Sequence, residues 1–118
     1  MNHREMRCLK IDEKWLNLIL NGSKTWEIRR TNTKIRERIA LGDMTTHCVA
    51  GYANIVDSFE KPVEQLKKHN SKHQANDFLD GYAKGRKTLF VWVLTDVEVE
   101  PNPYPYSYST ASWCNVLK

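Results

Sequence analysis

A chain of 118 residues with 18 Lys and Arg against 14 Asp and Glu, a formal net charge of +4 and 41% hydrophobic residues has room for one modest core under an ordinary water-facing surface. A second domain does not fit, no run approaches the ~18 apolar residues of a membrane span, and Met1-Asn2-His3-Arg4-Glu5 is too polar for a secretory signal. The expectation is one domain over residues 1–118, with a cytoplasmic address and no membrane partner. Cys8, Cys48 and Cys114 are widely spaced and include no Cys-x-x-Cys pair, which fits a reducing compartment better than a disulfide framework.

The first element is a helix. Asp12 suits its N-cap, Ile11 can pack on Leu16 as a hydrophobic staple, and Trp15, Leu18 and Ile19 share one face. Gly22 stops it. Beyond Gly22 the period becomes two, so Trp26 and Ile28 point to one face of a strand, and Thr25, Glu27 and Arg29 to the other. Lys24 sits at the corner between the two elements. Thr31, Asn32 and Thr33 mark a bend, residues 38–41 read as a short strand, and Gly42-Asp43 reads as its turn. A longer strand is expected over residues 48–56.

Pro62 suits the first turn of a helix whose thin apolar face is Val63 and Leu66, and residues 70–76 read as a polar loop. Residues 78–82 are ambiguous between a helical turn and irregular chain. Residues 89–94 are almost continuously apolar, which predicts an interior strand with Phe90 and Trp92 largely buried. Alternation returns at residues 97–100. Pro101, Pro103 and Pro105, interleaved with Tyr104, Tyr106 and Tyr108, predict a stiff segment that wraps the sheet instead of pairing in it. These elements describe an α+β fold, a small mixed barrel with flanking helices.

The string Gly22-Ser23-Lys24-Thr25-Trp26-Glu27-Ile28-Arg29 behind a Trp-bearing helix, followed by Arg36-Glu37-Arg38-Ile39-Ala40-Leu41, resembles the ASCH family, a relative of the PUA RNA-binding domain. Residues 51–56, residues 90–94 and Trp113 extend the resemblance over nearly the whole chain. It implies a PUA-like barrel. It also implies an activity, because similar family members are amidohydrolases that remove the acyl group of N4-acetylcytidine with a Lys, a Thr and a Glu. Lys24 matches that lysine; the threonine position is Glu27, with Thr25 beside it. The family's glutamate lies after the third strand, where Glu64 is available and a simple count falls nearer to residues 69–73. Other relatives resemble RNA-binding modules, and one branch is associated with cleavage of single-stranded RNA.

Lys24, Glu27 and Arg29 carry the chemistry that this cluster supports. Arg29 or Arg30 near a desolvated Lys24 favours its neutral amine, a base or nucleophile, whereas Glu27 favours the ammonium, a fixed cation for a phosphate or carbonyl oxygen. The plain alternative is an exposed Glu27–Arg29 ion pair worth at most ~1 kcal/mol. His69 and His73 have the i, i+4 spacing of a metal pair but no third ligand close in sequence, so a surface histidine pair is favoured, with His73 as an acid or base next. Tyr104, Tyr106, Tyr108 and Trp113 could stack bases, but most of them read as packing, with Tyr108 as the one to rim a cleft.

Basic residues crowd residues 29–38, 67–72 and 84–87, so anionic partners are expected. The expected function is amide hydrolysis of an N4-acylated cytidine or a related modified pyrimidine nucleoside, without cofactor or metal. Lys24, Glu27, Arg29, Glu64 and His73 are the catalytic candidates; Thr25, Arg30, Arg38, Tyr108 and Trp113 are the binding candidates. The alternatives are a non-catalytic RNA-binding module and a ribonuclease acting on single-stranded RNA. The oligomeric state is open between a monomer and a small homo-oligomer.

Overall fold

The structure is a computed structural model and describes residues 4–118; the polar start of the chain, residues 1–3, lies outside it. Six strands form one mixed sheet: β1 (Glu5–Ile11), β2 (Trp26–Arg29), β3 (Arg38–Asp43), β4 (Cys48–Pro62), β5 (Thr88–Pro105) and β6 (Trp113–Leu117). Their order across the sheet is β2-β5-β4-β3-β1-β6. Only β1 and β3 run parallel, with Cys8 opposite Ala40 and Ile11 opposite Asp43. The expected α+β fold is observed, as a barrel-like sheet that is not closed into a strict barrel, since β2 and β6 stand at its two ends. Among the described residues no helix is long and apolar enough to cross a membrane.

The sheet curls because β4 and β5 are long and irregularly registered. Their pairing shifts between Val49 and Gly51, between Tyr52 and Asn54, and between Ile55 and Asp57. Each such bulge bends the strand and adds twist. At the first shift β5 advances from Val99 to Tyr104 while β4 steps only from Gly51 to Val49, so Pro101 and Pro103 fall in the excess chain, and Pro105 still pairs with Cys48. The proline-tyrosine segment therefore continues the strand, contrary to the sequence expectation. β2 flanks β5 only from Phe90 to Val93, which leaves the proline half on an open edge where no ladder bond is lost. The interior position of β5 and the burial of Trp92 are as expected, with Phe90 half-buried.

Helix α1 (Glu13–Leu20) is capped by the Asp12 carboxylate, which accepts from Lys14 N, and it buries Leu16 and Ile19. These two side chains join Leu9, Ile11, Ile39, Leu41, Ile55 and Trp92 in the main core. Two short helices, α2 (Val63–Leu66) and α3 (Asn70–His73), and a longer one, α4 (Asn76–Ala83), follow β4; a 3-10 turn at Lys67–His69 joins α2 to α3. They pack Val63, Leu66, Leu79 and Ala83 against Ile28, Leu89 and Val91 of the sheet.

Four further expectations are corrected. Gly42 and Asp43 are strand, paired with Val49 and Cys48, because β1 supplies a second neighbour that holds the chain extended; the reversal comes at residues 44–47, with His47 at φ 57°. Residues 70–73 are helical, closed by Gln74 in the left-handed region at φ 59°. β4 runs six residues beyond Val56, to Pro62. The first element is β1 and not a helix, and neither β1 nor β6 was legible as a strand. Cys8 to Ile11 are all buried, which erases the period-two signal, and β6 is recruited through long-range pairing with β1.

Candidate functional site

The site begins at the end of α1. Asn21 N donates to Asn17 O, Gly22 N to Ile19 O and Lys24 N to Leu18 O, with Gly22 in the left-handed region at φ 87°. This reversal turns the Lys24 side chain inward, where it is 2% exposed. Its ammonium donates to the His73 carbonyl at 2.6 Å, lies 3.8 Å from Glu27 Oε1 and sits 5.1 Å from the centre of the Trp15 ring. Glu27 is itself 4% exposed on β2. Arg29, two residues on along the same face, donates from Nε and Nη2 to Glu27 Oε2 at 3.0 and 2.8 Å. Lys24 from the corner and Glu27 and Arg29 from one face of the strand thus converge, without Thr25.

The electrostatics follow from that burial. Desolvation is the largest influence on Lys24; Glu27 opposes it, Arg29 adds to it, and the lysine pKa is lowered to about 8. A usable fraction of neutral amine is therefore present at mildly alkaline pH, which an exposed lysine would not offer. Glu27 serves two cations at once, so its carboxylate holds Lys24 in place and is itself held by the Arg29 fork. Arg29 Nη2 also reaches the Lys10 carbonyl at 3.2 Å.

Lys24, Glu27 and Arg29 line a pocket of about 510 Å³. One wall is aromatic: Trp15 packs on Phe78 at 5.1 Å, and Phe78 stacks on Tyr82 at 5.1 Å. Lys10 near the end of β1, Tyr106 and residues 108–112 also line the pocket, among them Tyr108, which is 71% exposed and packs on His47 at 4.9 Å. A flat ring with a polar edge fits such a space, since aromatic walls stack and the charged end orients.

The remaining candidates are placed less centrally. Arg30 does not line the pocket; it donates to Tyr82 O at 2.7 Å and lies over the Tyr82 ring at 4.3 Å, buttressing the aromatic wall. Thr25 is exposed and outside the pocket, its backbone tied to Lys72 and Leu94. Arg38 is engaged by Asn54, the Asp96 carbonyl and Glu98 at another part of the sheet. Trp113 stacks on Trp92 at 5.9 Å and is packing. Glu64 faces solvent and pairs with Lys67.

His73 is not part of a surface pair. It is fully buried; its Nδ1 accepts from Ala75 N at 2.9 Å and its Nε2 bonds the Leu66 carbonyl at 2.6 Å. Both ring nitrogens are thus occupied by backbone, which fixes the neutral tautomer with the proton on Nε2. Burial also pushes its pKa down. His73 reaches the site through its carbonyl, not its ring. His69 instead packs on Trp26 at 5.3 Å, and among the described residues no cluster of His, Cys, Asp or Glu could hold a metal.

Lys10, Phe78, Tyr82 and Tyr106 are pocket residues that local pattern did not single out. One signal was available, because Lys10 is a single ionisable residue inside the apolar run Cys8-Leu9-Lys10-Ile11.

Comparison with known proteins agrees with this architecture. No curated protein matches the chain. Among solved structures, the ASCH protein of Zymomonas mobilis superposes with a TM-score of 0.69 at 18% identity, over 79% of this chain and 68% of that one. A serine-to-alanine variant of that protein gives 0.73 at 18% identity over 84% and 72%, and a tyrosine-to-phenylalanine variant gives 0.74 at 19% over 86% and 76%. At such identity the likeness is one of fold. A family model described as ASCH domain matches residues 9–113, which takes in Lys10, Lys24, Glu27, Arg29 and Tyr108. The chain belongs to the ASCH domain family.

Proposed function

We propose that this ASCH domain hydrolyses the exocyclic amide of an N4-acylated pyrimidine nucleoside, with Lys24 as the proton-transfer group. The observation that carries the reading is a lysine 2% exposed, with its pKa lowered to about 8, on the floor of an aromatic-walled pocket. The neutral Lys24 amine takes a proton from water as the water oxygen attacks the acyl carbon. The resulting ammonium returns the proton to N4 as the carbon–nitrogen bond breaks, so the products are the free nucleoside and a carboxylic acid. Glu27 orients Lys24 and stabilises its charged form between the two transfers. Arg29 anchors Glu27 through Nε and Nη2, which favours a supporting role over direct contact with the amide oxygen.

A second reading keeps the pocket and drops the chemistry. The short bond from Lys24 to the His73 carbonyl suits a fixed cation, so the same residues would grip RNA or a nucleoside without turnover. Incubating the purified protein with N4-acetylcytidine and, separately, with single-stranded RNA decides among the readings. Release of cytidine and acetate supports hydrolysis. Binding with neither substrate consumed supports the module, and shortened RNA supports a ribonuclease.

A further inference from the structure

Lys10 is 6% exposed, yet among the described residues no carboxylate lies within 4 Å of its ammonium. The other cations of the pocket are matched: Lys24 and Arg29 share Glu27. A buried charge is ordinarily paired, because desolvation costs several kcal/mol per ion unless a partner offsets it. Lys10 Nζ donates instead to Ser109, to its carbonyl at 2.9 Å and its hydroxyl at 2.7 Å, and lies 5.5 Å from the centre of the Tyr106 ring. An ammonium has three donors, and no third acceptor meets this one among the described residues.

Its backbone is also pinned. Lys10 N donates to Ser112 O, and Lys10 O accepts from Arg29, so the side chain starts from a fixed point on the pocket rim. The pocket lining carries Lys10, Lys24 and Arg29 against Asp12 and Glu27, which leaves one positive charge unmatched. Of these three cations Lys10 is the one with no carboxylate within 4 Å among the described residues, and Ser109, Thr110 and Ser112 line the pocket with it.

We infer that Lys10 and the 109–112 segment form an anion subsite that binds a phosphate ester carried on the substrate's sugar, so that the preferred ligand is a nucleotide and not the bare nucleoside. The inference rests on the nucleoside reading of the pocket. The phosphate supplies the counter-ion that Lys10 lacks, and it completes the ammonium's hydrogen bonds without displacing the Lys24–Glu27–Arg29 cluster. A lysine is a compact point charge with rotatable donors, suited to such a contact.

The test compares cytidine, which is not consumed, with its 5′- and 3′-monophosphates, binding being read by calorimetry on wild type, Lys10→Met and the charge-conserving Lys10→Arg. Wild type should bind one monophosphate about tenfold or more tightly than the nucleoside, the scale of one charge-assisted contact. Lys10→Met should bring that ratio close to one, and Lys10→Arg should keep part of it. Equal affinities in wild type overturn the subsite while leaving the nucleoside pocket standing. A preference that survives Lys10→Met overturns the assignment to Lys10.

A parallel arm follows acetylation of Lys10 in wild type by acetic anhydride, read by mass spectrometry with and without inorganic phosphate. Protection by phosphate, in a protein that binds no nucleoside, upholds the anion subsite and removes the nucleoside reading. The absence of protection and of any nucleotide binding overturns both.

Discussion

The Lys24 ammonium donates to the carbonyl oxygen of His73 at 2.6 Å, across 49 residues of sequence, and this bond joins the corner between α1 and β2 to the helical segment after β4. The carbonyl is aimed by its own residue. The His73 ring bonds Leu66 O and Ala75 N, and Gln74, in the left-handed region, donates from N to Asn70 O, so the turn around residue 73 is held by three hydrogen bonds. His73 is a positioning residue for Lys24.

Protonating that ring would break the bond from Ala75 N, because Nδ1 would become a donor facing a donor. The His73 pKa is lowered in the folded state, chiefly by burial, so the unfolded chain binds the proton more readily. Stability is therefore full above the ordinary imidazole pKa and is lost as pH falls through the folded value. Imidazole NMR should show His73 as the neutral Nε2–H tautomer throughout the neutral range. Titration at or above the usual value near 6.5 would contradict the arrangement.

Glu27→Gln removes the one neighbour that raises the Lys24 pKa, leaving burial and Arg29 to lower it. In this variant the alkaline rise in turnover should shift below pH 8, with the maximal rate down about tenfold or more, on the scale of one general acid-base contribution. Denaturant unfolding should show a loss of about 3 kcal/mol, since Arg29 and Lys24 both lose a buried partner. An unmoved pH profile would mean that Glu27 does not set the charge of Lys24.

Gly51 is where the bent sheet meets α1. A Cβ there would lie 2.5 Å from the Glu98 carbonyl oxygen on β5 and 2.6 Å from Leu20 Cδ2. The carbonyl belongs to a paired strand and cannot yield cheaply. Gly51→Ala should cost about 2 kcal/mol or more, a drop of several degrees in thermal midpoint by calorimetry. Gly81→Ala, which meets no atom within 4 Å, is the control and should be neutral or better in its helix.

The site was legible where its chemistry is local. Period-two alternation over residues 25–29 was enough to bring Glu27 and Arg29 to one face, and Gly22 announced the corner that carries Lys24. Partners that arrive by long-range packing left no such mark. Phe78 and Tyr82 lie on a helix that reads as ambiguous chain, and Lys10 lies on a strand buried over four successive residues. His73 drew attention as an ionisable ring, whereas its contribution to the site is a backbone carbonyl, which has no sequence signature. The Pro101 to Pro105 stretch misled because proline excludes a ladder bond only where a neighbour exists, and β5 has none on that edge.

Burial of Lys24 also carries a stability signature. Its folded pKa of about 8 lies below that of an unfolded lysine near 10.4, so between those values the unfolded chain holds more protons and stability from this group rises with pH. Relative to Lys24→Met, wild type should therefore gain stability from pH 7 to pH 10 in parallel urea titrations. A constant difference would show that Lys24 titrates as it does in water.

The most direct test of the central claim is the pH–rate profile of N4-acetylcytidine hydrolysis by wild type and Lys24→Met. The account predicts that the wild-type rate climbs with pH to a midpoint near 8 as the neutral amine forms, and that the folded Lys24→Met protein loses a hundredfold or more, roughly 3 kcal/mol of transition-state stabilisation. A folded Lys24→Met variant that turns over substrate at the wild-type rate, with the same profile, would contradict it.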